Sequence, residues 1–168
     1  RIAHGGLPRL FQEQARLFRT TPESRTSWML AAHFDASISD IGVALWSGAT
    51  LGIWSGREGG GSMLDFIESE RLTQIDLPPA QLPALLARGI PRALETIIVG
   101  GEPAAPHALR DAARQVRVVN VYGPTETTVC ASAQVIDAAS RGRRLPRARR
   151  RALHQRSRRG PWLPGRSA

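Results

Sequence analysis

Residues 120–130, with the sequence NVYGPTETTVC, end an apolar and β-branched run that begins at Val116. A run of this kind predicts a buried strand over residues 116–121. The dipeptide Gly123-Pro124 breaks regular structure, so it predicts a turn directly after the strand. Polar side chains fill this turn, and they make the strand end the most informative place in the sequence.

The residue types in the turn suit a nucleotide. The hydroxyls of Thr125, Thr127 and Thr128 suit phosphate oxygens, and the carboxylate of Glu126 suits a Mg2+ ion that a nucleotide carries. Tyr122, the only tyrosine in the chain, offers a flat face on which a purine could stack. The same residues also fit an ordinary strand-to-turn junction with solvated threonines, and composition alone leaves both interpretations open.

Hydrophobic patterning predicts helices and strands that alternate along the chain. We predict helices over residues 8–18, 37–48, 62–70, 81–88 and 106–115, and strands over residues 28–32, 49–54, 72–77, 95–99 and 116–121. Ser37 and Ser62 are expected to cap the helices that they begin. This order of elements predicts an α/β fold, in which helices cover both faces of a mostly parallel sheet.

Unusual chemistry follows four of the predicted strands. The four segments are Phe34-Asp35, residues 76–79, residues 100–103 and residues 122–126. Ligands of such sheets bind at the carboxyl ends of the strands. The four segments are therefore expected to line one cleft.

Bulk composition predicts one domain followed by a basic tail. The formal net charge is +9 and all 23 basic residues are arginine, but residues 1–136 hold 12 Arg and 13 acidic residues, whereas residues 137–168 hold 11 Arg and one acidic residue. The tail is expected to be disordered or to be read from a shifted frame, and a nucleic-acid-binding arm is the alternative. The single cysteine and the lack of a long apolar run predict a cytoplasmic protein without a membrane span.

The order of residues in the central stretch is more specific than its chemistry. The sequence N-x-Y-G-P-T-E-T-T at residues 120–128 resembles the Y-G-P-T-E core motif of the amino-acid adenylation domains of nonribosomal peptide synthetases, which belong to the AMP-forming acyl-CoA synthetase and luciferase superfamily. Residues 34–40, FDASISD, resemble the family's F-D-A-S-x-x-E segment, with Asp40 in place of the glutamate. Residues 100–102 resemble its G-G-E segment. The resemblance covers about residues 1–136 and implies part of the large adenylation subdomain.

The resemblance implies a binding site for ATP and Mg2+. Glu126 would be the Mg2+ ligand, Tyr122 would stack on the adenine, and Thr125 would contact phosphate; Thr125 and Glu126 would thereby support catalysis. The nucleotide-binding residues implied in this way are Gly100, Gly101, Glu102, Pro103, Asn120, Val121, Tyr122, Gly123 and Thr125.

The resemblance also implies an amino-acid pocket, whose lining would be Asp35, Ala36, Ser39, Asp76, Ile98, Gly100, Val121, Val129 and Cys130. Asp35 would hold the α-amino group of the substrate, whereas without the resemblance a solvated or capping aspartate is the simpler interpretation. A second carboxylate, Asp76, favours a polar or cationic side chain such as that of Gln, Lys or ornithine. Cys130 is expected to form part of the pocket wall and not to act as a nucleophile.

In the family, the activated amino acid passes from its adenylate to the thiol of a carrier-protein domain. We expect the 168-residue chain not to catalyse this alone, because the family's phosphate loop and catalytic lysine have no counterpart in it. The alternatives are a fragment of an acyl- or aryl-CoA ligase, which would have no use for Asp35, and a nucleic-acid-binding protein that acts through the arginine-rich tail.

Overall fold

The computed structural model describes residues 2–56 and 62–138, and the backbone of residues 151 and 152. The helices are α1 Leu7–Phe18, α2 Ala36–Ser47, α3 Met63–Ser69, α4 Leu82–Arg88 and α5 Pro106–Ala113. The strands are β1 Arg25–Trp28, β2 Thr50–Ile53, β3 Gln74–Leu77, β4 Thr96–Val99, β5 Arg117–Tyr122, β6 Ser132–Val135 and β7 Arg151–Ala152. Short 3-10 turns lie at His4–Gly6, Pro79–Gln81 and Thr125–Thr127.

All described strands lie in one sheet of order β2-β1-β3-β4-β5-β6-β7. The pairs from β2 through β5 are parallel, and β6 and β7 continue the sheet antiparallel to their neighbours. The prediction of a mostly parallel α/β sheet is therefore confirmed. Since β1 to β5 run in one direction, their carboxyl ends meet at one edge, as the clustering of polar segments required.

Helices pack on both faces of this sheet because strand side chains alternate between the faces. Ile97 and Val99 of β4 join a core that α3, α4 and α5 cover. Ile98, the residue between them, joins a smaller core with Phe18 of α1 and Val43 of α2. The face covered by α1 and α2 is the one that carries the cavity described below.

Local sequence signals account for several helix boundaries. Pro8 lies in the first turn of α1, where its missing N–H costs no helical hydrogen bond. Gly48 ends α2 with a positive φ of 69°, which glycine adopts without a steric penalty. Ser62 caps α3 as predicted, through a reciprocal capping box with Asp65.

Two local predictions were wrong. The first strand lies at Arg25–Trp28, not over residues 28–32, because the buried hydroxyl of Ser27 accepts a hydrogen bond from the backbone N–H of Asp76 and so makes a polar strand acceptable. The apolar residues after Trp28 leave the sheet. Ser37 does not cap α2, since the helix already begins at Ala36 and the Ser37 hydroxyl donates to the Phe34 carbonyl at 2.7 Å.

Candidate functional site

A cavity of about 330 Å³ lies at the edge where β3, β4 and β5 end, between this edge and helices α1 and α2. Its lining residues are Gln14, Phe18, Leu30, Phe34, Asp35, Ala36, Ser39, Asp76, Pro78, Ile98, Gly100, Gly101, Glu102, Val121, Gly123, Val129 and Cys130. Apolar side chains make up most of this wall, and the polar groups among them are few. Such a cavity suits a small organic ligand that a few polar contacts orient.

The structure brings together every residue that was expected to line an amino-acid pocket. All nine of them, from Asp35 at the start of α2 to Cys130 after β5, are among the lining residues. They come from five separate segments of the chain, so their meeting is a property of the fold and not of sequence proximity. The role of each residue in binding remains a prediction.

The expected nucleotide-binding residues divide into two groups. Gly100, Gly101, Glu102, Val121 and Gly123 line the cavity, whereas the remaining ones do not. This second group comprises Pro103, Asn120, Tyr122 and Thr125, and Glu126, the expected Mg2+ ligand, does not line the cavity either.

The position of the second group follows from strand geometry. Asn120 and Tyr122 alternate with Val121 along β5, so their side chains point to the other face of the sheet. The side chain of Tyr122 is 67% exposed. Thr125 and Glu126 are exposed in the 3-10 turn beyond the strand end. Their assignments as adenine, phosphate and Mg2+ contacts stay predictions.

Two glycines in the site are required by close packing. A Cβ atom on Gly100 would lie 2.6 Å from Cγ2 and 3.0 Å from the carbonyl oxygen of Val121. A Cβ on Gly123 would overlap the Val129 carbonyl oxygen and lie 2.7 Å from Cα of Cys130. Both glycines therefore allow backbone segments to approach each other at the cavity wall.

The segment after the 3-10 turn is held in an uncommon conformation. Thr128 and Val129 have positive φ angles of 63° and 64°, a region that β-branched residues rarely adopt. The backbone N–H of Ala131 donates to the Tyr122 carbonyl at 2.9 Å, which fixes the return of the chain toward β6. This turn places Val129 and Cys130 in the cavity wall, so the strained backbone serves the shape of the site.

Two carboxyl groups of the site have perturbed acidity. Burial raises the pKa of Asp76, at the end of β3, to about 7. Burial, and then the charge of Asp76, raises the pKa of Asp40 well above its ordinary value. Asp40 does not line the main cavity, but it lines a void of about 10 Å³ that Asp76 also borders.

Asp35 supplies another acceptor to the cavity. It precedes the first residue of α2, and its Oδ2 atom is buried without a hydrogen-bond partner among the described residues. A buried carboxylate oxygen without a donor is unfavourable. A ligand that brings a hydrogen-bond donor to this position would satisfy it.

Sequence reasoning missed Gln14, which is the polar member of the buried face of α1. Its Oε1 accepts a 2.6 Å hydrogen bond from the Ser39 hydroxyl, and it lines the cavity together with Cys130. The available signal was a glutamine at a position whose helical neighbours Leu10 and Phe18 are apolar. Gln14 therefore fixes the Ser39 hydroxyl of α2 at the cavity floor.

Burial perturbs the thiol of Cys130, and a hydrogen bond holds the carboxylate of Glu102. Burial raises the pKa of the Cys130 thiol to about 11, so the thiol is protonated at neutral pH and is a poor nucleophile. The Glu102 carboxylate accepts a 2.8 Å hydrogen bond from the backbone N–H of Ala80. This bond ties the glycine-rich segment after β4 to the 3-10 turn after β3.

Within residues 2–56 and 62–138, no three His, Cys, Asp or Glu side chains are grouped as a metal site. None of the described helices has the length and apolar character needed to cross a membrane.

The family model of the AMP-binding enzymes matches residues 2–157. The chain belongs to this family. Chondramide synthase CmdD of Chondromyces crocatus is 38% identical over 129 residues, which are 76% of this chain and 3% of that protein. The nonribosomal peptide synthetase ValB of Aspergillus terreus is 34% identical over 131 residues, 78% of this chain and 5% of that protein. The chain thus spans only a small part of these curated relatives.

A solved adenylation domain has the same fold. The Vibrio cholerae adenylation domain AlmE, in complex with glycyl-adenosine-5′-phosphate, superposes with a TM-score of 0.77 at 23% identity. The match covers 92% of this chain and 30% of that one. The chain therefore has part of the fold of an adenylation domain.

The family match extends past the proposed boundary at residue 136. Residues 139–150 and 153–168 lie outside the described residues, and so does most of the arginine-rich tail. The division into residues 1–136 and 137–168, and the disorder of the tail, remain predictions.

Proposed function

We propose that this chain is part of a domain that uses ATP to activate an amino acid as its aminoacyl-adenylate for nonribosomal peptide synthesis. The chain would supply the amino-acid pocket and one wall of the nucleotide cleft. The observation that carries the proposal is the meeting of the nine expected pocket residues around one cavity. The identity to peptide synthetases over most of the chain supports the same assignment.

Asp35 is proposed to bind the α-ammonium group of the substrate. Its Oδ2 atom is buried and lacks a donor among the described residues, and the residue lines the cavity. An ammonium group provides three donors and an opposite charge. An acyl- or aryl-CoA ligase substrate without an α-amino group would leave this carboxylate unsatisfied, which is why we favour the amino acid.

ATP and Mg2+ are proposed to bind beyond the cavity, over the turn after β5. The residues present fit them: Thr125 and Glu126 are exposed there, and one carboxylate together with phosphate oxygens is an ordinary set of Mg2+ ligands. A bound Mg2+ would offset negative charge on the phosphates. Gly100 and Gly101 would let the nucleotide approach the backbone closely.

The side chain of the substrate is proposed to be polar or cationic. Asp76 lies in the cavity wall, where a side chain such as that of Gln, Lys or ornithine can bond it. A wholly apolar side chain would bury the carboxyl without compensation.

Two further proposals concern the complete assembly. A carrier-protein domain would accept the activated amino acid, and the 168-residue chain alone would not complete the activation, since it contains no lysine to act as the family's catalytic residue. ATP–pyrophosphate exchange by the isolated chain is accordingly expected to be at background.

Calorimetry with nonhydrolysable adenylate analogues tests the proposed function. Glutaminyl and ornithyl 5′-O-sulfamoyladenosine should bind the chain, and an analogue without the α-amino group should bind about 10-fold or more weakly, the effect of one charged hydrogen bond. Asp35→Asn should remove this difference. Asp111→Asn is a matched control, because Asp111 lies on α5 in an exposed ion pair with Arg114. Equal binding of the analogues with and without the amino group would contradict the proposal.

A further inference from the structure

The cavity adjoins a small void on the side of α2. The void measures about 10 Å³ and shares Phe18, Ser39, Asp76 and Ile98 with the main cavity. The remaining lining residues are Thr26, Ser27, Asp40, Val43 and Gln74. A volume of this size is close to the space of one water molecule. Asp40 and Asp76 therefore border the same small void beside the main cavity.

One carboxylate oxygen at this void lacks a hydrogen-bond partner in the described part of the chain. The Oδ2 atom of Asp40 is buried and has no partner among the described residues. Of the hydroxyls that line the void, Ser39 donates to Gln14, Thr26 donates to the Thr50 carbonyl, and Ser27 accepts from the Asp76 N–H. A proton shared by the two carboxyls, or a donor from a ligand, would satisfy the unpaired oxygen.

The titratable groups around Asp40 and Asp76 are all acidic. The titratable groups that line the cavity and the void are Asp35, Asp40, Asp76, Glu102 and Cys130. No Arg or His is among these lining residues in the described part of the chain. Two buried carboxylates without a counter-ion repel each other, so one of them retains its proton.

We propose that Asp40 is a positioning residue that sets substrate specificity through Asp76: the two carboxyls share a proton, and a cationic side-chain end group displaces this proton when it binds. The proton leaves to solvent, and the ammonium group of the ligand replaces it between the carboxylates. The inference rests on the proposed function, because it assumes that an amino acid occupies the cavity. It narrows the substrate class to amino acids with a side-chain amine.

The inference predicts proton-linked binding. Ornithyl 5′-O-sulfamoyladenosine should release about one proton near neutral pH, and its affinity should rise by up to about tenfold per pH unit, the limit for one linked proton. The glutaminyl analogue carries no side-chain charge, so it should bind without this release and more weakly. Calorimetry in two buffers of different ionisation enthalpy measures the number of protons.

Three variants test the role of Asp40. Asp40→Asn should lower the proton release on ornithyl binding to below about half of the wild-type value and flatten the pH profile. Asp40→Glu keeps the second carboxyl, so it should restore the proton release and the pH dependence of binding. Asp76→Asn should abolish the preference for the ornithyl over the glutaminyl analogue. Circular dichroism of each variant verifies that it is folded.

A titration without ligand separates the inference from the proposed function. Carboxyl ¹³C NMR of the free chain should show Asp40 and Asp76 titrating in two coupled steps. In Asp40→Asn, Asp76 should titrate in a single step, at a lower pH than the upper step of the wild type. Independent titration of the two groups, or equal proton release by the wild type and Asp40→Asn, would overturn the role of Asp40. Failure of both analogues to bind the wild type would instead contradict the proposed function.

Discussion

The hydroxyl of Ser39 donates a 2.6 Å hydrogen bond to Oε1 of Gln14, and both residues are buried beside the cavity. This bond joins α2 to α1 at the floor of the site. Ser39→Ala should lower the free energy of unfolding by about 1–3 kcal/mol, because it leaves the Gln14 oxygen buried without this donor. Chemical denaturation measures the change.

Gly100→Ala should be among the most destabilising small substitutions. Its Cβ would lie 2.6 Å from Cγ2 of Val121 and 3.0 Å from the carbonyl oxygen of the same residue, and the backbone part of this contact cannot rotate away. We expect a loss of about 1–3 kcal/mol, typical of overpacking. Gly5→Ala is the control, since nothing lies within 4 Å of a Cβ there. Similar melting temperatures for the two variants would contradict the close approach.

Asp76 should make the folded chain less stable as pH rises. Its folded pKa is raised to about 7 by burial, so between about pH 4 and pH 7 the folded state binds more protons than the unfolded state. The free energy of unfolding therefore falls across this interval. Asp76→Asn should lessen the decline, to which the raised pKa of Asp40 also contributes, and be more stable than the wild type at neutral pH. A steeper decline in the variant would be inconsistent with the buried carboxyl.

Asp65 should make the folded chain less stable as pH falls. Hydrogen bonds from Ser62, and then Arg88, lower the pKa of this exposed carboxylate to about 2. Its contribution to stability is present above the unfolded value near pH 4 and is lost as pH falls toward 2. Asp65→Asn should flatten the acid limb of the stability profile below pH 4. Glu95→Gln is the matched control for a general charge effect, because Glu95 is an exposed carboxylate just before β4.

The sequence predicted those elements whose signals are local. The alternation of helices and strands, the cap at Ser62 and the glycine that ends α2 each depend on residues within one turn. β1 was misplaced because its buried Ser27 is made tolerable by a partner far along the chain, the N–H of Asp76. β6 was not predicted, since its pairing with β5 depends on the sharp turn through Thr128 and Val129.

The residues of the candidate site also divide into those that the sequence predicted and those that depend on packing between distant segments. The family resemblance placed nine residues that the fold then gathers around one cavity. It did not place Gln14, whose hydrogen-bond partner Ser39 lies on another segment. The sequence also could not predict that Asp40 and Asp76 border the same void, because this depends on the packing of α2 near β3 and not on any spacing within the sequence.

A crystal structure of the chain with ornithyl 5′-O-sulfamoyladenosine tests the central claim most directly. The account predicts that the ligand's α-ammonium group lies within hydrogen-bond distance of Oδ2 of Asp35, and that its side-chain amine lies against Asp76. A ligand bound elsewhere, or bound in the cavity with its α-ammonium group away from Asp35, would contradict the assignment of this cavity as an amino-acid pocket.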